Sequence, residues 1–276
     1  MLTRRKLVEE FDPSADHRTY TRRSGEPVPK EPIRIVPIIN KTLHQCERQD
    51  KRAYMPPSRP GGDRAKFCVH PSQSSGCRRQ VQFVLLDAKR DNTQPDPRKW
   101  RIFDIGHESH RRIQGYLFEA WKRRVNNVTR VWEDVKLRYD ALMVLGELDA
   151  IVEVNGVRVV VEVKTMSKGL FEKMAVPKVS WVWQAHLYMK AVGLASAILL
   201  VENRDNAQMR EFWVPFDQKV WDQIEFDTLE VLVDTEDAKV SRANPDPGDC
   251  MWCNYTTLCK SVPMQRKIDF ERVWAA

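Results

Sequence analysis

The stretch GELDAIVEVNGVRVVVEVKT, residues 146 to 165, places Asp149, Glu162 and Lys164 in a segment otherwise rich in valine. Two carboxylates and an ammonium in such a strand pair can gather a hard divalent ion, Mg2+ or Mn2+, and act on a polarised oxygen. Their placement follows from the turn. Asn155 and Gly156 are the pair favoured by a two-residue type I′ hairpin loop, in which both central residues need positive φ. With Val154 opposite Val157, the register sets Glu153 against Arg158, Asp149 against Glu162 and Glu147 against Lys164. Alternation then gives one apolar face, formed by Leu148, Ala150, Val152, Val154, Val157, Val159, Val161 and Val163, and puts Asp149, Glu162 and Lys164 on the other. Opposed carboxylates repel unless a cation or a shared proton lies between them, so the pattern predicts a bound metal. A solvated sheet face carrying ordinary charges is the competing reading.

The elements that must position this hairpin follow from periodicity. Ile105, Ile113, Leu117 and Trp121 recur at near-helical spacing, which predicts a helix starting near Gly106 or His107, with His107 and His110 in its first turn. The run IRIVPII reads as an edge strand or docking segment, and PPSRPGGD at 56 to 63 as a loop. VWEDVKLRY reads as a strand leading into the hairpin. WVWQAHLYMKAV at 181 to 192 reads as a helix with Gln184 and Tyr188 one turn apart on a shared face. ASAILLVEN is a buried strand with MREFWVPF as its antiparallel neighbour, and a long helix spans about 217 to 238. This order is α/β with mixed strand directions, because the hairpin is antiparallel.

At 276 residues the chain can bury a full core. The expected organisation is a basic, partly flexible arm over residues 1 to 60 and a single domain over 61 to 276. Lys and Arg total 45 against 38 acidic residues, a net charge of +7, which favours a polyanionic partner such as nucleic acid. Basic runs at RRKL, RTYTRR and WKRR are candidate phosphate contacts, with solvated faces as the alternative. No run of about 18 apolar residues occurs. The charged, proline-containing first thirty residues do not form a signal peptide, so a cytoplasmic protein with no membrane partner is expected.

Cys250, Cys253 and Cys259 form a C-x2-C-x5-C cluster in CMWCNYTTLC, next to the turn PDPGDC. In an intracellular chain, thiolates this close argue for a metal centre before a disulfide, with reduced cysteines and no metal as the alternative. Three ligands leave a tetrahedral set one short, and the fourth must be Cys46, Cys68 or Cys77. Cys77 has the most distinctive context, in a loop that runs into a helix, and would staple the two ends of the chain together. Zinc and a [4Fe-4S] cluster both accept four thiolates, so spacing leaves both open.

In chain order these pieces are SSGCRR around Cys77, G-x-x-x-H at Gly106 and His110, GELD ending in Asp149, EVK at Glu162 to Lys164, Q-x-x-x-Y at Gln184 and Tyr188, and the terminal cysteines. They resemble the RecB-like branch of the PD-(D/E)XK nuclease superfamily over roughly residues 70 to 260. The resemblance is to its four-cysteine iron-sulfur members, which include CRISPR adaptation nucleases, the AddB nuclease domain and related phage exonucleases. Two departures stand out: Leu148 precedes Asp149 where proline is usual, and a charged insertion, DAKRDNTQPDPRK, follows the Cys77 segment.

The resemblance implies a restriction-endonuclease-like core of a mixed sheet flanked by helices, with a metal-cluster staple between the terminal segments. It implies that His110, Asp149, Glu162 and the Val163 carbonyl bind a catalytic Mg2+ or Mn2+, that Lys164 serves the transition state, and that Gln184 and Tyr188 hold the lysine or the DNA backbone. Cys77, Cys250, Cys253 and Cys259 would bind a structural [4Fe-4S] cluster. For His110 the plainer alternative is a satisfied histidine near a helix start, with His107 as a nearby competitor; for Gln184 and Tyr188 it is a half-buried helix face. Trp181 and Trp183 read as core before base-stacking residues. The implied activity is a metal-dependent DNA exonuclease favouring single strands with a free end, of a phage-type recombination, repair or processing kind, in a bacterial or phage-infected cytoplasm, with a recombination, helicase or integration partner. The contrasting class is a non-catalytic DNA-binding or scaffold subunit with structural zinc, against which the intact Asp149, Glu162 and Lys164 set argues.

Overall fold

The turn that closes the central hairpin has positive φ at both residues, +52° at Asn155 and +77° at Gly156. It joins Val144–Val154 (β2) to Val157–Met166 (β3), with Val154 facing Val157 and Glu153 facing Arg158. The computed structural model describes residues 31–46, 68–73, 76–91, 97–243, 250 and 253–262. The hairpin ladder runs to Ala150–Val161 and stops. Beyond that point β2 stays paired with Val128–Tyr139 (β1), while β3 pairs in parallel with Ser196–Asn203 (β4). Met209–Pro215 (β5) completes an antiparallel edge, giving the sheet order β1-β2-β3-β4-β5. The expected pairs Asp149–Glu162 and Glu147–Lys164 therefore do not form: each strand keeps its backbone bonds with a different outer neighbour, and the hairpin opens into a fork.

Both faces of the sheet are buried, which removes the solvated-face reading. On one face Ala150, Val152, Val159, Val161 and Val163 pack with Ile113, Leu117, Ile198 and Leu200. On the other, Ile151 and Val160 pack with Ala185, Leu187 and Leu199. Leu148 joins this second face, contrary to the simple alternation. The β1–β2 ladder passes from Glu133–Ala150 to Val135–Leu148 with no pair between them, and Asp134 there has φ +49°, so the regular alternation is interrupted at this point. Glu153 and Arg158 are an ion pair at 2.8 Å, with the Arg158 guanidinium 4.9 Å from the Trp132 ring centroid, so they are no ordinary surface charges.

Helices cover each face. IRIVPII begins a helix, Ile35–Cys46 (α1), and so is a docking segment and not the edge strand that was the other expectation. Pro37 falls in its first turn, where a missing N–H costs nothing, and the N–H groups of Ile35 and Val36 donate to the Glu211 carboxylate at 2.6 and 2.9 Å. Ile35, Ile38 and Ile39 are buried on one face of α1, docking part of the expected N-terminal arm onto the core. The remainder of that arm, with the loop at 56 to 63, lies outside the described residues. After Arg78–Leu85 (α2), the next helix runs Pro97–Lys122 (α3), starting well before Gly106 because Pro97 suits a first helical position. His107 and His110 are thus in a helix interior, not in a first turn.

Lys168–Lys173 (α4) precedes Val179–Val192 (α5), which Gly193 ends in a left-handed conformation at φ +72°. Gln218–Glu236 (α6) starts from Asp217, whose side chain accepts the Lys219 N–H at 2.8 Å. Thr256–Ser261 (α7) packs with α2 through Phe83, Tyr255 and Leu258. Gly146 lies where β2 meets Pro71: an added Cβ would fall 2.7 and 2.8 Å from the ring atoms Cγ and Cδ. A proline ring cannot swing aside, so Gly146→Ala should destabilise by about 1–3 kcal/mol, read as a lowered urea midpoint; an unchanged midpoint would show that this approach is loose.

Candidate active site and thiol centre

Where the strands part, their backbone groups take side-chain partners in place of a cross-strand ladder. Asp149 Oδ2 accepts the Val163 N–H at 2.6 Å, so the carboxylate satisfies a backbone donor at the fork, and Oδ1 lies 2.9 Å from His110 Nδ1 of α3. A carboxylate can only accept, so that imidazole nitrogen carries the hydrogen. Gln114, one turn after His110, donates to the Asp149 carbonyl at 2.9 Å and to the Asp134 carboxylate at 2.7 Å, pinning the break in the sheet to α3. Lys164 Nζ donates to Glu162 Oε1 at 2.7 Å and to Gln184 Oε1 at 2.8 Å. Gln184 Nε2 donates to the Tyr188 hydroxyl at 2.7 Å, which donates to the Glu147 carbonyl at 3.1 Å. Two chains of hydrogen bonds thus meet at the fork, one from α3 and one from α5.

Of the residues expected from sequence, His110, Asp149, Glu162, Lys164, Gln184 and Tyr188 are brought together. His107 is exposed and takes no part in these contacts. Val163 reaches Asp149 through its N–H. Gln114 was missed, although its position four residues after His110 on one helix face was a usable signal.

Burial pushes the Glu162 carboxyl up to about 7, and the neighbouring Asp149 charge adds to this against the opposing pull of Lys164. Burial also acts to raise Asp149, but His110, the Val163 N–H and Lys164 outweigh it and hold that carboxyl below its usual range. For His110, burial opposes protonation and the charge and hydrogen bond of Asp149 prevail, so its titration moves up. Glu162 Oε2 is buried with no hydrogen-bond partner. Two acidic side chains, one of them with an orphaned oxygen, and an imidazole fit a hard divalent cation that accepts some nitrogen ligation. Among the described residues, no three His, Cys, Asp or Glu side chains stand as a ready-made ion-holding group, here or at the cysteines.

These directions set a pH dependence. Glu162 holds its proton more tightly folded than unfolded, so its contribution to stability is full below 4.5 and is lost as pH rises towards 7. His110, also raised, contributes below 6.5 and loses that contribution as pH rises through its folded value. Asp149, lowered, acts only below this window, through its ordinary 3.8 and downward. The melting temperature of metal-free protein should therefore fall between about pH 5 and 8, less steeply in Glu162→Gln, and added Mn2+ should restore it at the upper end. Parallel pH profiles for wild type and variant would contradict the assignment.

A cavity of about 110 Å³ is lined by Cys77, Cys250, Cys253 and Cys259 together with Arg79 and Phe83. Cys77 sits at the N-terminal cap of α2, and Cys259 lies in α7. Burial raises the Cys253 thiol, and the neighbouring Cys77, Cys259 and Cys250 raise it further. Cys68 lies elsewhere, buried, with Sγ 3.8 Å from His70 Nε2 and its thiol pushed up to about 11 by burial. The Cys46 side chain is outside the described residues. The start of the charged insertion meets the tail: Asp91 Oδ2 accepts the Thr257 N–H at 2.8 Å, and the Asp91 N–H donates to the Asn254 carbonyl at 2.7 Å.

A mixed five-stranded sheet with flanking helices and a forked hairpin of acidic residues and lysine defines a nuclease-type core. The model of the PD-(D/E)XK nuclease superfamily matches residues 71–260, and the chain belongs to that superfamily. No curated protein sequence matches. Among solved structures, SSO0001 is similar at 15% identity and a TM-score of 0.43, over 80% of this chain and 94% of that one. An alkaline exonuclease from Laribacter hongkongensis is similar at 14% identity and a TM-score of 0.44, over 62% of this chain and 89% of that one. No helix among the described residues is long and apolar enough to cross a membrane.

Proposed function

We propose that this protein is a divalent-metal-dependent DNA exonuclease of the RecB-like, four-cysteine branch, hydrolysing phosphodiester bonds from DNA ends with single strands favoured. The observation that carries the reading is the fork itself, where Glu162 Oε2 is buried without a partner beside Asp149, His110 and a clamped Lys164. Asp149, Glu162, His110 and the Val163 carbonyl would hold Mg2+ or Mn2+, which when bound neutralises phosphate charge and lowers the pKa of water. Lys164 is oriented by Glu162 and Gln184 at 2.7 and 2.8 Å and supplies positive charge to the phosphoryl group as negative charge builds on it. Tyr188 and Gln184 keep the ammonium from turning away, because their own hydrogen bonds end on a fixed backbone carbonyl.

The thiol cavity would hold a structural [4Fe-4S] cluster, or zinc as the alternative, clamping the tail to α2. A recombination, repair or DNA-processing role, with a helicase or integration partner, is the setting suggested by the RecB-like motifs. The test of end dependence compares linear and covalently closed circular single-stranded DNA, with 5′ and 3′ labels on the linear form. Processive release of one end label with the circle untouched is the expected result. Cutting of both forms at equal rates would replace the exonuclease with an endonuclease.

A further inference from the structure

The thiol cavity has one wall that the cysteine spacing did not anticipate. Arg79 of α2 is 4% exposed. Its Nε donates to the Ser241 carbonyl at 3.0 Å, and Nη1 lies 3.4 Å from Cys259 Sγ, 3.4 Å from the Cys259 carbonyl and 3.5 Å from the Val262 carbonyl. Nη2 is buried with no partner. Among the described residues no carboxylate pairs with it, whereas the adjacent Arg78 pairs with Asp227 and Glu230. A guanidinium stays charged at any ordinary pH, and burying one without a counter-charge is costly. Neutral thiols do not supply that charge; a four-thiolate metal centre does, since its ligands outweigh the charge of either metal core.

We propose that Arg79 is the counter-charge of the cysteine centre, a positioning residue that donates to the Cys259 sulfur and holds the metal against loss. The inference rests on the reading of these cysteines as a metal site. Hydrogen bonds and positive charge at a cluster sulfur favour the more negative, reduced state, so Arg79 also raises the potential of an iron-sulfur form. It further ties the centre to Ser241, just after α6, and so joins three segments distant in sequence. The neighbouring Gln82 reinforces that joint, accepting the Ser241 N–H at 2.9 Å and donating to the Lys239 carbonyl at 2.7 Å.

The experiment uses full-length protein purified anaerobically, as wild type, Arg79→Lys and a neutral variant, Arg79→Met or Arg79→Gln, whichever is soluble. Iron, sulfide and zinc per chain are measured first, then the rate of metal loss to a chelator, and for an iron-sulfur form the midpoint potential. The neutral variant should lose metal about tenfold faster, and its potential should fall by a comparable factor, ~59 mV for a one-electron couple. Arg79→Lys, which keeps the charge, should stay close to wild type. Equal loss rates and potentials in the lysine and neutral variants would overturn the role of Arg79 while leaving the metal centre standing. Wild type carrying neither metal would instead overturn the centre itself.

Discussion

Lys164→Met should lower the rate of DNA cleavage by about 10²–10³-fold while leaving Mn2+ binding in place, since removing one positioned electrostatic donor typically has that effect on turnover. The two readouts separate because Lys164 touches Glu162 Oε1, whereas the orphaned Oε2 and the Asp149 side chain are left intact. Loss of a competing cation should hold or tighten metal affinity. Gln184→Ala, which frees the same ammonium without deleting it, should give a smaller loss. Initial rates together with Mn2+ titrations check this. A variant that cuts at the wild-type rate would remove Lys164 from the chemistry, and one that no longer binds Mn2+ would make its role structural.

The second large effect lies at the joint between α3 and the sheet. Arg112 Nη2 donates to both oxygens of Glu202, at 2.8 and 2.7 Å, and Glu202 is 1% exposed. Deleting one partner of a buried pair strands the other charge, so Arg112→Ala should cost about 3 kcal/mol in urea unfolding, towards the lower end of the usual range because Arg112 is partly exposed. Adding Glu202→Gln should recover much of that loss, since the stranded charge is gone. His110 is two residues before Arg112 on the same helix, so the single variant should also bind Mn2+ more weakly. A cost near zero, or no recovery in the double variant, would show that the pair does not anchor α3.

The hairpin turn, its register to Ala150–Val161 and the four strand and helix assignments from α5 onward were legible because local rules decide them, whereas the meeting of His110, Asp149, Glu162, Lys164, Gln184 and Tyr188 was expected from the family resemblance. Turn chemistry fixes register, and helical spacing puts Gln184 beside Tyr188. The fork was not legible: the ladder between β2 and β3 ends through competition from β1 and β4, which lie on either side and are set by tertiary pairing. For the α1 segment only the edge-strand alternative failed, because proline in an apolar run suits an edge strand and a first helical turn equally. Glu202 did carry a signal, as the one carboxylate in a largely apolar strand, yet its partner Arg112 could be found only once α3 was packed on the sheet.

The most direct measurement is cleavage of end-labelled linear DNA by anaerobically purified protein with Mg2+ or Mn2+, beside Glu162→Ala. The expected result is metal-dependent cutting by wild type that disappears in a variant still folded and still binding DNA. Equal cutting by both proteins, or DNA binding by both with cutting by neither, would contradict a nuclease site at the β2–β3 fork.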